Sequence, residues 1–268
     1  MVLECDDADP VVFDLGTGLR FWGLDWPPSV PFAATALVSH LHWDHVQGLP
    51  FFGPLHQADS KIDVFGPAQE GRSLAEAVDG FMCPPYFPVR VTDLLGSFTF
   101  SEASKSFVTD GYSVTSAPVP HPGPTVGYRV ERDGVSVAYV PDHQQPGCGS
   151  TVVDPAVLEL CAGADLLIHD AQYTPSEFAQ KFDWGHCTVD YAIEVARQAG
   201  VSRLALFHHD SSHTDEDLDA LAVVAAKAGA AAGLSEVIVA SEGMVISLGR
   251  PPGDLAAGAA GSVASTNA

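Results

Sequence analysis

Ser39-His40-Leu41-His42-Trp43-Asp44-His45 is the stretch on which the fold of this chain turns. Three histidines and an aspartate fall within six residues, directly after an apolar run at 36–39 that reads as a strand. His40 and His42 are one residue apart, so in extended backbone they point to the same side. Asp44 and His45 can then turn to a second point. Imidazole nitrogens and carboxylate oxygens are good zinc ligands, and a loop at a strand end lets such side chains converge. One short loop can therefore serve two adjacent metal ions. Paired ions about 3.5–4 Å apart clamp the attacking and leaving oxygens of a hydrolytic displacement. The competing reading, a polar loop with unrelated histidines, needs four ligand-type side chains to meet this spacing by chance.

The chain around the motif is long enough to support it. Its 268 residues are 46% hydrophobic and 17% charged, a composition that folds and buries a core. Twelve Lys and Arg stand against 34 Asp and Glu, a formal charge of −22. That field repels polyanions, and long nucleic acids are held by Lys and Arg, so a large nucleic-acid substrate is disfavoured. A small anion can still bind where metal cations dominate a pocket. The five cysteines (Cys5, Cys83, Cys148, Cys161, Cys187) are scattered with no C-x-x-C spacing, which fits no disulfide framework or zinc finger and suits a reducing cytoplasm. The first residues are acidic, without the basic and apolar regions of a secretory signal. No apolar run approaches the ~18 residues of a membrane span. A cytoplasmic protein without membrane association is expected.

Short apolar runs at 11–14, 36–39, 62–65, 112–116, 127–130 and 135–140 read as strands. The clearest early helix is expected at 68–78. Later, 166–169 and 204–207 read as buried strands around a helix at 189–199. Thr214-Asp215-Glu216-Asp217 opens another helix, to about Lys227, with acidic residues where the helix dipole favours them. Strands at 237–240 and 244–248, joined by Ser241-Glu242-Gly243, are expected to close the fold. One domain over 1–249 is expected, with a disordered Gly-, Ala- and Ser-rich tail over 250–268. Two sheets covered by helices satisfy this mixture of α and β, and so does an open doubly wound sheet.

A resemblance narrows the choice. The opening stretch, followed by Gly48, resembles the H-x-H-x-D-H signature of the metallo-β-lactamase superfamily. His121 in Pro120-His121-Pro122-Gly123, Asp142 after the run Tyr139-Val140-Pro141 and His208 in Leu206-Phe207-His208 resemble its later motifs, in order. Phe13-Asp14-Leu15-Gly16 is similar to its Asp-x-Gly turn, so the match spans about 11–248. The resemblance implies an α+β fold, the four-layer αββα sandwich. It also implies an opening strand before 2–5, so a sheet without its first edge strand is one expectation. It places one Zn2+ on His40, His42 and His121, another on Asp44, His45 and His208, and Asp142 between them. A metal-bridging hydroxide would be the nucleophile, since metal binding lowers the pKa of water from 15.7 toward ~7. Mn2+ or Fe2+ suits the same ligands. Motif register favours His208 over His209 as the last ligand. Neighbours in a strand point oppositely, which leaves His209 and Asp210 to orient the ligands.

Two further motifs are similar to those of the ribonuclease Z group. Leu167-Ile168-His169-Asp170-Ala171 resembles its His-Glu-Ala-Thr motif, and Trp184-Gly185-His186-Cys187-Thr188 its Gly-His-Ser-Thr motif. A histidine outside the metal ligands can neutralise a phosphoryl oxygen or protonate a leaving alkoxide, and a nearby carboxylate fixes its tautomer. These roles fall to His186 and Asp170, which join Asp44 as candidate catalytic residues. Transfer-RNA-processing members carry a long arm before the bridging aspartate. Here His121 and Asp142 are only 21 positions apart, leaving no room for it. The expectation is a phosphodiesterase for a small phosphodiester such as a cyclic nucleotide. A ribonuclease Z-like endonuclease, a lactonase-type hydrolase and a non-catalytic metal-bound sensor are the alternatives, and a homodimer is the expected assembly. Of the remaining histidines, His56 is expected in solvent, His143 and His169 behind the ligands, and His213 has no assigned role. The aromatic and proline patch at 81–88 reads equally as a substrate-lining or dimer-contact loop and as a core crossing.

Overall fold

Alternating burial on both faces explains how the strands stack. In Val11-Val12-Phe13 every side chain is at most 1% exposed, with Val11 and Phe13 facing one way and Val12 the other. A strand covered on both sides needs a layer above and a layer below. The computed structural model describes residues 1–249 and supplies both layers.

The first sheet has five strands, in spatial order β1 (Val2–Cys5), β2 (Ala8–Phe13), β3 (Ala33–Leu37), β4 (Lys61–Gly66) and β5 (Ser97–Glu102). β1 runs antiparallel to β2, and the others are parallel. The second sheet has seven: β6 (Ser106–Thr109), β7 (Tyr112–Pro118), β8 (Val126–Arg132), β9 (Val135–Val140), β10 (Leu166–Asp170), β11 (Arg203–Phe207) and β12 (Glu236–Val239). β6 to β9 form an antiparallel meander, and β9 to β12 are parallel.

Phe13, Leu37, Tyr128, Tyr139, Ile168 and Ala205 fill the space between the sheets. Outside the first sheet lie α1 (Gly18–Asp25), α2 (Trp43–Val46) and α3 (Leu74–Phe81), through Leu19, Val46, Leu74 and Val78. Outside the second lie α4 (Pro155–Cys161), α6 (Val189–Ala199) and α7 (Asp215–Ala231), with the one-turn α5 (Pro175–Phe178) nearby. This is the four-layer αββα sandwich, not the open doubly wound sheet. None of the described helices is long and apolar enough to cross a membrane.

Two expectations need correction. The helix expected at 68–78 begins only at Leu74. Ser73 caps it, with its hydroxyl accepting from the Glu76 N–H and the Glu76 carboxylate accepting from the Ser73 N–H. Upstream, Gln69 and Arg72 bridge across a turn in which Gly71 has φ +71°, a conformation no helix continues through. Residues 244–248 form no strand. Ile246 and Leu248 pack on the inter-sheet core, but the Ser247 carbonyl accepts from the Arg203 guanidinium rather than from a ladder N–H. At 81–88, Met82 is fully buried and Phe81 and Phe87 pack on the outer core, while Tyr86 is exposed. The segment is anchored on the core by Phe81, Met82 and Phe87 and leaves Pro84, Pro85, Tyr86 and Pro88 exposed. The tail over 250–268 lies outside the described residues.

This topology puts the carboxyl ends of β3, β9, β10 and β11 on one rim. The turn from β7 to β8 joins them because β8 starts beside the end of β9. The Val126 N–H donates to the Ser39 carbonyl at 2.9 Å and ties the two sheets together there. Gly48 packs against the same rim. A Cβ on it would lie 1.8 Å from the Gly16 carbonyl oxygen, so only glycine lets these two loops meet.

Candidate metal centre

Four of the candidate ligands, His40, His45, His121 and His208, are aimed by a partner behind them. Asp14, at φ +58°, follows β2 and is buried. Its carboxylate accepts from the Ser39 N–H (2.6 Å), the Ser39 hydroxyl (2.9 Å), His45 Nδ1 (2.8 Å) and the Tyr139 hydroxyl (2.8 Å). Burial alone would raise its pKa, but the His45 ring and the Ser39 donors hold it below the usual carboxylate range. With Nδ1–H donating to Asp14, His45 turns Nε2 into the site. His40 Nδ1 lies 3.1 Å from the Ser39 hydroxyl, whose own proton goes to Asp14. His121 Nδ1 donates to the Gly185 carbonyl at 2.8 Å. His208 Nδ1 lies 2.8 Å from the Gln172 side-chain amide. The amide nitrogen, Nε2, is the atom on that side; a flip of the amide would place its oxygen there, keep the proton on Nδ1 and leave the ring's Nε2 bare.

The ligand atoms gather into two groups, His40, His42, His121 and Asp142 in one, and Asp44, His45 and His208 in the other. Within the first, His121 Nε2 lies 3.2 Å from His42 Nδ1, and His40 Nε2 and His121 Nε2 each lie 3.7 Å from Asp142 Oδ2. Within the second, His45 Nε2 lies 3.3 Å from His208 Nε2 and 3.2 Å from Asp44 Oδ2. The other oxygen of Asp142 faces this group, 3.2 Å from His45 Nε2 and 3.4 Å from His208 Nε2. One carboxylate thus turns one oxygen to each group.

These residues fit metal ions. Two atoms held about 2.0–2.1 Å from one tetrahedral zinc stand roughly 3.3 Å apart, close to the separations found here. Among the described residues His40 Nε2, in the first group, and Asp142 Oδ1, facing the second, are buried without a hydrogen-bond partner, which is costly unless each meets a cation. The electrostatics ask for positive charge at the same place. Burial opposes charge on His45, yet Asp14, Asp142 and Asp44 lift its pKa to about 12. Burial likewise opposes charge on His208, and Asp44 and Asp142 raise it to about 9. His40 is pushed down to about 3 by burial and by the charge of His45. Cations bound between neutral rings would satisfy the same carboxylates.

Beside this cluster stands a second pair. Asp170, at the end of β10, is fully buried and accepts from the His143 N–H (2.9 Å), the Gln172 N–H (3.0 Å) and His186 Nδ1 (3.0 Å). His186 Nδ1 is also 3.8 Å from Asp142 Oδ2, and its ring centroid lies 5.0 Å from that of His208. Among the described residues nothing hydrogen-bonds to His186 Nε2. All nine residues singled out in the sequence therefore meet on one rim.

The other histidines divide as follows. His143 is wholly buried, with Nδ1 3.0 Å from His169 Nε2, and His169 Nδ1 donates to the Asp170 carbonyl. Both lie behind the site, and neither reaches solvent. His56 is exposed, and His213 bonds Glu177 at 2.8 Å. The choice between His208 and His209 does not rest on strand alternation. β11 stops at Phe207, and a left-handed turn at His208 (φ +57°) swings its ring inward. His209 buries both ring nitrogens without a partner, and Asp210 bonds Lys181 and Ser212. Neither orients a ligand as the sequence suggested.

Sequence reasoning missed the residues that aim the ligands, namely Gln172, Gly185 and the structural part played by Asp14. Asp14 had a signal in the Asp-x-Gly turn. Gly185 had a weaker one, a glycine just before His186. Its φ is +98°, and a Cβ there would lie 2.5 Å from the His121 ring. Gly185→Ala is expected to displace that ring and loosen the first metal group about 10–100-fold. Metal analysis during chelator competition checks this. Next to His121 a cleft of about 400 Å³ is lined by Pro120, Pro122, Gln144, Pro146, Phe182 and Asp183, without a cationic side chain.

Comparison with known proteins agrees with this geometry. A family model described as a β-lactamase superfamily domain matches residues 12–209. Among curated proteins, a ribonuclease Z from Haloarcula marismortui is 25% identical, over 75% of this chain and 77% of its own. Among solved structures, the short form of human tRNase Z aligns with a TM-score of 0.66 at 22% identity, covering 93% of this chain and 92% of that one. Zn2+-bound PqqB from Methylobacterium extorquens aligns at 0.65 and 17% identity, covering 92% and 86%. The structural likenesses speak for the fold, and the family match for descent. The chain belongs to the metallo-β-lactamase superfamily, as a metal-dependent hydrolase of its ribonuclease Z-like group.

Proposed function

We propose that the protein is a phosphodiesterase that cleaves a small phosphodiester, such as a cyclic nucleotide, at a centre of two metal ions. The observation that carries this reading is the His186–Asp170 pair beside the bridging carboxylate of Asp142. An ester with an activated carbonyl needs no such acid, whereas an alkoxide leaving a phosphodiester does. When bound, two Zn2+ ions, or Mn2+ or Fe2+ in their place, supply Lewis acidity and make hydroxide available at neutral pH. In the proposed roles His40, His42 and His121 hold one ion, Asp44, His45 and His208 the other, and Asp142 touches both. Asp170 accepts from the Nδ1–H of His186 and leaves Nε2 facing the site; the doubly protonated ring would carry there the proton that the leaving oxygen takes.

The connection between β8 and β9 supports a small substrate. It is a tight turn with Asp133 and Gly134 at positive φ, so no arm rises there to grip a long RNA. The charge of −22 points the same way. A second reading, a ribonuclease Z-like endonuclease, is favoured by the names of the curated relatives. For the assembly we keep the homodimer expected from sequence, and solution mass tests it. The deciding experiment is a panel of cyclic nucleotides, bis-p-nitrophenyl phosphate, lactones and precursor transfer RNA, each with zinc and with manganese. Cyclic nucleotides are expected to turn over fastest. Preference for precursor transfer RNA or for lactones would replace the proposal, and metal uptake without any turnover would point to a sensor.

A further inference from the structure

We propose that Gln144 is a positioning residue for the metal pair. It lies two residues after Asp142, on the loop leaving β9, and reaches across to the strap 182–186. Its Oε1 accepts from the Gly185 N–H at 2.7 Å. Its Nε2 donates to the Phe182 carbonyl and to the Gln145 carbonyl, both at 2.8 Å. Its own N–H donates to the Pro120 carbonyl at 2.7 Å, next to His121. Gly185 then completes the path, because its carbonyl accepts from His121 Nδ1.

The consequence is geometric. Gly185 sits at φ +98°, where glycine has wide freedom, so its carbonyl is aimed only if something fixes its backbone. Gln144 does so from the loop that carries Asp142. The tilt of His121 is thereby referenced to the carboxylate it must meet. The next residue of the strap is His186, whose carbonyl accepts from the Gln145 N–H at 3.2 Å. One loop thus sets the metal ligand and the acid together. Outer partners of metal ligands commonly act this way, by fixing ring orientation. The inference rests on His121 and Asp142 being ligands.

Gln145 provides an internal comparison. It is buried in the same loop, but its side chain serves structure, with Oε1 accepting from the Thr188 N–H and hydroxyl at the start of α6. The test is titration of metal-stripped protein with Zn2+ under chelator competition, and with Co2+ followed by its visible absorption. In Gln144→Met one of the two ions is expected to bind about 10–100-fold more weakly, with an altered Co2+ spectrum, while the other binds as in the wild type. In Gln145→Met thermal stability is expected to fall while both ions bind as in the wild type. Gln144→Glu keeps an acceptor for the Gly185 N–H and should hold the affected ion more tightly than Gln144→Met. Unchanged binding of both ions in Gln144→Met overturns the proposal. So does equal loosening of both ions in Gln144→Met and Gln145→Met, or a Glu variant weaker than the Met variant. Wild-type protein that takes up no metal would instead overturn the metal-centre reading itself.

Discussion

Asp142→Asn is expected to cost the protein at least one of its two metal ions and to lower phosphodiester turnover at least about a thousandfold. Asp142 alone among the candidate ligands turns an atom to each group, with Oδ2 toward His40 and His121 and Oδ1 toward His45 and His208. An amide offers one neutral oxygen and an N–H2 that repels a cation. Lewis-acid stabilisation of the reaction is worth several kcal/mol, and each 1.36 kcal/mol is a factor of ten in rate. The metal-free protein should suffer as well. Asp142 is buried against His45 and His208, and together with Asp44 it raises the pKa of both rings. Removing one partner of such a buried cluster costs about 3–5 kcal/mol. Metal analysis and thermal melting with and without chelator measure both effects. Two tightly held ions with near-normal turnover in Asp142→Asn would show that Asp142 is not the bridge.

The candidate ligands were legible because they obey spacing and order, whereas the groups that aim them do not. His40 to His45 form a local pattern, and His121, Asp142 and His208 follow strands in sequence order. Gln172 and Gly185 bear on the site only through backbone turns and contacts across 36 and 64 positions, which periodicity does not encode. The same limit applies to the fold. Strands such as β9 and β11, apolar on both faces, announced themselves. β5 and β6 expose much of their length and are not among the runs that read as strands. The helix misplaced at 68–78 followed apolar spacing where the capping box at Ser73 and the turn at Gly71 decided the start. Local hydrogen bonding outweighed the hydrophobic pattern there. At 244–248 the apolar residues do face the core, yet the backbone joins no ladder among the described residues, so burial alone did not make a strand.

His186→Ala separates chemistry from metal binding, and its expected effect is the second largest. The ring lies outside both ligand groups, so two ions should remain bound. Asp170 keeps the His143 and Gln172 N–H donors, so its carboxylate is not orphaned and the fold should hold. What disappears is a proton donor whose Nδ1 is pinned by Asp170 and whose Nε2 has no protein partner among the described residues. General acid catalysis contributes about 10²–10⁴-fold, and the loss should depend on the leaving group. A ribose alkoxide departs only with a proton, so cyclic-nucleotide turnover should fall by that full factor. p-Nitrophenolate departs without one, so bis-p-nitrophenyl phosphate should fall far less. This difference between substrates is what a merely structural histidine would not produce, because distortion of the metal pair slows both alike. Parallel kcat measurements on the two substrates, with metal content determined on the same preparations, decide the matter. Equal losses on both substrates, or undiminished cyclic-nucleotide turnover, would remove His186 from the role of acid and leave the metal ions to carry the reaction without it.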